Sequence, residues 1–246
     1  MTAGLPDSIR ACLFDLDGVL TQTAVVHARA WQETFDKFLR SRADRGGPPF
    51  VAFDVIDDYD RYIDGRPRAD GVRSFLAARG ITLPEGQPGD TAESQTVLGL
   101  ANAKNEVLLR MLAADGVRPY PGSVRYLHVV RTAGFATAVV SASAHCRDAL
   151  AAAGLDGQFD VVVDGDVART AGLAGKPAPD TYLAAARQLA MPPAACAVFE
   201  DALAGVQAGR AGRFGWVVGV DRVGQAPDLS AAGADIVVTD LAELLS

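Results

Sequence analysis

Cysteine is scarce in this sequence of 246 residues. The three cysteines are odd in number and lie far apart, at Cys12, Cys146 and Cys196. This spacing argues against a disulfide framework and against a CxxC zinc site, so we expect reduced thiols in the core. A chain of this length buries enough surface to fold without disulfides or a structural metal.

Long apolar runs and an excess of positive charge are also missing. No apolar stretch approaches the roughly 20 residues of a membrane-spanning helix, and the N-terminal segment has none of the features of a secretory signal. With 23 basic and 30 acidic residues, the net charge is −7, which disfavours binding to a nucleic-acid backbone. We therefore expect a cytoplasmic monomer that binds neither membranes nor nucleic acids.

Lysine is the third rare residue type. The chain has three lysines, Lys37, Lys104 and Lys176, against 20 arginines. Lysine carries a compact ammonium, whereas arginine carries a planar guanidinium, and the two are not interchangeable. Each lysine is therefore a candidate for a specific role.

The chain has two regions of different character. After an apolar strand at residues 10–15, residues 22–116 show helical periodicity, with loops predicted at 41–49 and 84–90. From residue 117, apolar strands alternate with helices, which predicts a parallel sheet covered on both faces. We predict an α/β fold with a doubly wound, Rossmann-like core of residues 1–21 and 117–246 and an inserted helical cap domain of residues 22–116. The later strands are predicted at 135–141, 159–163, 196–199, 216–220 and 235–238.

Polar side chains follow several of these strands, on the side where a doubly wound sheet binds its ligands. A single polar residue at a strand end is common, but together these residues predict a ligand-binding site. The set comprises Asp15, Asp17, Ser141, Ser143, Lys176, Glu200 and Asp201.

The chemistry of this set indicates phosphoryl transfer. Two carboxylates about 4 Å apart repel by about 4 kcal/mol at an effective dielectric of 20, so either some of the four are protonated or a cation lies among them. All-oxygen ligands favour Mg²⁺, and Lys176 adds a second positive group for an anionic phosphoryl ligand. An ionised Asp15 can act as a nucleophile without a base. Asp17 can reach the leaving oxygen where Gly18 lets the chain turn, and would act as general acid and then base.

Four segments together resemble the motifs of the haloacid dehalogenase (HAD) superfamily and, within it, the β-phosphoglucomutase family. They are residues 14–21 (FDLDGVLT), Ser141, residues 175–177 (GKP) and residues 199–205 (FEDALAG), in the family's order. The resemblance implies that Asp15 is the phosphorylated nucleophile and Asp17 the acid/base.

The resemblance also implies a metal site and a phosphate site. The Mg²⁺ ligands would be Asp15, the backbone carbonyl of Asp17, and Asp201, with Glu200 a ligand or its neighbour. The transferring phosphate would bind to the loop of Ser141, Ala142 and Ser143 and to the ammonium of Lys176.

In the insert, four residues resemble cap and hinge positions of the same family. Arg68 matches the cap arginine that binds the non-transferring phosphate, and Lys104 matches the cap lysine at the sugar. His27 matches a histidine near the hinge, and Thr23 matches the hinge threonine. These positions are expected to bind a small phosphorylated sugar.

The expected activity is Mg²⁺-dependent interconversion of β-glucose 1-phosphate and glucose 6-phosphate in carbohydrate metabolism. It would pass through an aspartyl-phosphate and β-glucose 1,6-bisphosphate, which would also activate the enzyme. Two alternatives remain open: a sugar-phosphate phosphatase with the same core, and a non-catalytic phosphosugar-binding protein.

Three departures from the family pattern concern the hinge, the distal phosphate site and a longer insertion, and the insertion leaves the choice of sugar open. Gln22 stands where the family usually has aspartate, and Ala144-His145 stand where it tends to have Lys-Asn. The segment 41–64 is longer than in compact members of the family.

Overall fold

The computed structural model describes residues 3–245, and the chain divides into two compact units. Unit 1 comprises Met1–Thr23, Gly65–Pro67 and Val117–Ser246, and unit 2 comprises Ala24–Asp64 and Arg68–Gly116. Among the described residues, every helix is too short or too polar to span a membrane.

Unit 1 contains one six-stranded parallel sheet in the order β3-β2-β1-β4-β5-β6, which confirms the predicted α/β class. The strands are β1 (Ala11–Phe14), β2 (Ala136–Val140), β3 (Val161–Val163), β4 (Cys196–Glu200), β5 (Trp216–Val220) and β6 (Ile236–Val238).

Ten α-helices lie within the part of the chain that the structure describes. They are α1 (Ala24–Asp44), α2 (Asp57–Tyr62), α3 (Arg68–Ala78), α4 (Val97–Asp115), α5 (Pro121–Thr132), α6 (Cys146–Ala152), α7 (Gly165–Thr170), α8 (Asp180–Gln188), α9 (Leu203–Ala211) and α10 (Ala226–Ala232).

The apolar character of the strands follows from burial on both faces of the sheet. On one face Phe14 stacks on Phe199 at 4.5 Å between ring centroids, and Tyr126 packs beside both rings. On the other face Tyr182 packs edge-on against Phe214 at 5.9 Å. In strands covered in this way, polar and apolar side chains need not alternate, because neither face of the sheet meets water.

Unit 2 is helical, and its helices bury one face each. Phe35 is the centre of an aromatic cluster, with ring centroids 5.0 Å from Trp31, 5.3 Å from Phe53 and 4.1 Å from Phe75. The predicted loop at 41–49 begins later than expected, because α1 continues through Asp44 and ends just before the glycines at 46–47.

Candidate active site

The register of the central strands determines where the site lies. β1 lies between β2 and β4, with Phe14 paired to Val139 on one side and to Phe199 on the other. The backbone N–H of Asp15 donates to the Phe199 carbonyl at 2.9 Å. The residues that follow β1, β2 and β4 therefore leave the sheet at the same edge, where a doubly wound fold binds ligands.

Lys176 connects the ends of these three strands. Its Nζ donates to Asp15 Oδ1 at 2.5 Å, to Glu200 Oε1 at 2.6 Å and to the Val140 carbonyl at 3.2 Å. Burial alone would lower the pKa of Lys176, but the carboxylates of Asp15 and Glu200 outweigh it and raise that pKa above its ordinary value. The ammonium is therefore charged at neutral pH.

Asp15 is buried among like charges. Burial raises the pKa of Asp15 well above its ordinary range; Lys176 opposes this effect, and the carboxylates of Glu200 and Asp17 add to it. The ammonium does not fully offset burial and the neighbouring acids, so a bound cation would favour the ionised, nucleophilic form of Asp15.

The carboxylates of Asp15, Glu200 and Asp201 fit a divalent cation. Each contributes one oxygen to a group whose members all lie within 4.8 Å of one another. Glu200 is the most constrained of the three. Its Oε1 accepts from Lys176 and from the Tyr182 hydroxyl at 2.9 Å, and its Oε2 accepts from the Ala202 N–H at 3.2 Å. The all-oxygen donor set is the kind that Mg²⁺ prefers.

Asp17 lies on a tight turn two residues after Asp15. The Thr23 hydroxyl donates a short hydrogen bond to Asp17 Oδ1, and the hydroxyls of Thr21 and Thr23 are 2.7 Å apart. Gly18 has a φ of +87°, and a Cβ there would lie 1.6 Å from Asp201 Oδ2. Only glycine fits at this point of the turn.

The loop after β2 presents hydroxyl and backbone groups. Ser141 is buried, and its Oγ accepts from the Ser143 N–H at 3.1 Å. The Ser143 Oγ accepts in turn from the His145 N–H at 3.1 Å. Ala142 lies between the two serines and is half-buried.

Unit 2 brings two of the predicted cap residues together. Lys104 on α4 is buried, with its Nζ 3.2 Å from His27 Nδ1 and 5.2 Å from the centre of the Trp31 ring. Arg68 opens α3, is half-buried, and donates a long hydrogen bond of 3.4 Å to the Ala101 carbonyl.

Two residues that touch the site were not singled out from the sequence. Tyr182 lies in the first turn of α8, and its hydroxyl donates to Glu200, although its helical spacing is that of an ordinary core residue. Arg222 lies in a polar loop and donates to the Gly18 carbonyl at 2.7 Å. Neither position carries a local signal, because each role depends on a partner far away in the chain.

Comparisons with known proteins agree with this geometry. A family model for haloacid dehalogenase-like hydrolases matches residues 9–213. A β-phosphoglucomutase of Mycobacterium tuberculosis is 55% identical over 245 residues, covering 98% of this chain and 94% of that protein. A fructose-1-phosphate phosphatase of Escherichia coli is 30% identical over 204 residues, covering 81% of this chain and 90% of that protein.

Among solved structures, a β-phosphoglucomutase from Clostridium difficile superimposes with a TM-score of 0.72 at 25% identity, covering 96% of this chain and 93% of the other. The family predicted from the four motifs is thus confirmed. The chain belongs to the haloacid dehalogenase-like hydrolase family, in its β-phosphoglucomutase-like branch, and is an enzyme of the phosphotransferase type.

Proposed function

We propose that this enzyme is a Mg²⁺-dependent phosphomutase that interconverts β-glucose 1-phosphate and glucose 6-phosphate. The observation that carries the proposal is the buried Asp15 carboxylate, paired with Lys176 and grouped with Glu200 and Asp201. The 55% identity to a β-phosphoglucomutase, over nearly the full length of both chains, supports the choice of substrate. Residues 1–21 and 117–246 would form the catalytic core and residues 22–116 the helical cap.

Asp15 would be the nucleophile. Lys176 binds Asp15 Oδ1, so we expect Oδ2 to attack the phosphorus atom and form an aspartyl-phosphate. Ser141, the backbone of Ala142 and Ser143, and the Lys176 ammonium would bind the oxygens of the transferring phosphoryl group.

Asp15, Glu200, Asp201 and the backbone carbonyl of Asp17 would hold Mg²⁺. When bound, the cation neutralises charge on the carboxylates and on the transferring phosphoryl group. The fit is supported by the all-oxygen donor set of three buried acids that lie close together.

Asp17 would move the proton. Thr23 orients its carboxyl group, which would protonate the leaving sugar oxygen and later accept a proton from the attacking hydroxyl. Transfer from phospho-Asp15 to the free hydroxyl forms β-glucose 1,6-bisphosphate, and Asp15 then takes back the other phosphoryl group. Arg68 would bind the phosphate that is not reacting, and Lys104 with His27 would contact the sugar.

The second candidate is a sugar-phosphate phosphatase, in which water takes the phosphoryl group from Asp15. The 30% identity to a fructose-1-phosphate phosphatase supports it. The discriminating assay supplies β-glucose 1-phosphate, Mg²⁺ and a trace of the bisphosphate, and measures glucose 6-phosphate and free phosphate separately. The proposal expects glucose 6-phosphate without matching phosphate release. Phosphate release without the isomer would favour the phosphatase.

A further inference from the structure

The loop between β5 and α10 contacts the backbone beside two site carboxylates of unit 1. Arg222 Nε donates to the Gly18 carbonyl at 2.7 Å, and Gln225 Nε2 donates to the Asp201 carbonyl at 3.1 Å. Gly18 directly follows Asp17. One short loop therefore holds both the turn that carries Asp17 and the segment that carries Asp201.

Arg222 is itself fixed from several directions. Its Nη1 donates to the Thr239 carbonyl at 2.7 Å, and its guanidinium carbon lies 3.6 Å from the centre of the Tyr120 ring. These contacts fix the orientation of the guanidinium, whose Nε faces the Gly18 carbonyl.

Asp221 makes this loop a rigid support. Its carboxylate accepts hydrogen bonds from four successive backbone N–H groups, at 2.6–3.2 Å. The donors are Val223, Gly224, Gln225 and Ala226. Because one carboxylate fixes the whole turn, Arg222 and Gln225 are held relative to each other.

The turn that Arg222 holds has little room to move. A Cβ at Gly18 would lie 1.6 Å from Asp201 Oδ2, so the backbone passes directly against that carboxylate. A shift of this peptide would displace the adjacent Asp17, and a misplacement of about 1 Å can cost about 100-fold in rate.

We propose that Arg222 is a positioning residue that fixes the Asp17 turn for proton transfer to the leaving oxygen. The inference rests on the proposed acid/base role of Asp17 and extends it to the loop after β5.

The test compares two phosphate esters that differ in their need for a proton. When Asp15 is phosphorylated, a sugar leaves as an alkoxide and needs the acid, whereas p-nitrophenol leaves as a stable phenolate and needs it little. Asp17 also serves as the base in the later transfer, so the rate compared is that of the first turnover, in which Asp15 is phosphorylated. Arg222→Met is expected to lower this first-turnover rate by about 100-fold with the sugar phosphate and far less with p-nitrophenyl phosphate. Arg222→Lys keeps the positive charge and an N–H donor group. Its rate with the sugar phosphate should lie between those of the wild type and Arg222→Met. Guanidinium ion added to Arg222→Ala should restore part of the sugar-phosphate rate.

Two controls make the outcome specific. Arg10→Met removes an arginine that also donates to backbone carbonyls, those of Asp7 and Ile9, but at the opposite end of β1. It should leave both rates unchanged, and thermal unfolding verifies that every variant is folded.

Asp17→Asn, measured in parallel, separates this inference from the proposed function. If Asp17→Asn discriminates between the two esters but Arg222→Met lowers both rates equally, or guanidinium gives no rescue, Arg222 has no positioning role. If Asp17→Asn itself shows no discrimination, the acid/base role of Asp17 is wrong, and the role of Arg222 is wrong with it.

Discussion

The Lys176 ammonium lies 2.5 Å from Asp15 Oδ1, although 161 residues separate the two in the chain. Glu200 binds the same ammonium at 2.6 Å, and all three side chains are buried. The result is a row in which one ammonium bridges two buried acids. Removing the ammonium would leave both acids without a counter-ion, and a bound cation would further favour their ionised forms.

Replacing Lys176 by methionine is expected to destabilise the protein by about 3 kcal/mol, because two buried carboxylates lose their counter-ion. The double variant Lys176→Met with Glu200→Gln should recover a large part of this loss, since it removes one of the unpaired charges. Urea unfolding of the two single variants and the double variant measures the coupling. Additive losses would show that the row is not a coupled unit.

Replacing Tyr182 by phenylalanine removes one hydrogen bond to the buried Glu200 carboxylate and keeps the ring that packs near Lys176. We expect a loss of about 1.5–3 kcal/mol, since the acceptor is charged, together with reduced turnover. Tyr126→Phe is the matched control, because the Tyr126 hydroxyl donates at the same distance, 2.9 Å, to the neutral Ala3 carbonyl. It should cost about 1 kcal/mol and leave turnover unchanged. Equal effects of the two variants on turnover would contradict a role for Tyr182 in the site.

Arg68→Ala is expected to lower mutase turnover by about 10- to 100-fold, the equivalent of one charged hydrogen bond to phosphate. Hydrolysis of a small phosphate ester that has no second phosphate should change little. Arg73→Ala on the same helix is the control, because Arg73 is exposed and pairs with Asp70 and Glu85. Steady-state rates on both substrates measure the difference, and equal losses on both would make Arg68 a structural residue.

The stability of the protein should fall as the pH rises above about 9. Burial raises the pKa of the Cys196 thiol from 9.0 to about 11, so the unfolded chain loses this proton at a lower pH than the folded chain. The stabilisation that comes from keeping this thiol protonated is complete below pH 9 and is lost progressively toward pH 11. The difference in unfolding free energy between the wild type and Cys196→Ala should therefore shrink or change sign between pH 8 and pH 11. A constant difference would contradict the burial of this thiol.

The sheet and the position of the site could be predicted because both depend on local patterns. Apolar strands alternating with helices require a parallel sheet, and its carboxyl edge collects the residues that follow each strand, as for Asp15 and Asp201. Lys176 could be included as well, although a long connection separates it from β3, because it is one of only three lysines and follows that strand. The helices α2, α7 and α10 could not be placed from the sequence, since each is short and lacks a clear periodic face.

The supporting contacts could not be predicted from sequence for a different reason. Tyr182 and Arg222 gain their roles from partners that are distant in the chain, Glu200 and Gly18. A buried tyrosine on a helix face and an arginine in a polar loop look ordinary until the fold supplies those partners. Local patterns thus predict the candidate site residues, whereas the contacts that surround them become visible only in the tertiary structure.

The site of phosphorylation is the most direct test of the proposed chemistry. The enzyme is mixed with Mg²⁺ and β-glucose 1,6-bisphosphate, and mass spectrometry then locates the phosphoryl group in the chain. We predict an acid-stable, base-labile phosphate on Asp15 and none on Asp15→Asn, which should be folded and inactive. A phosphoryl group on another residue, or full turnover by Asp15→Asn, would contradict Asp15 as the nucleophile.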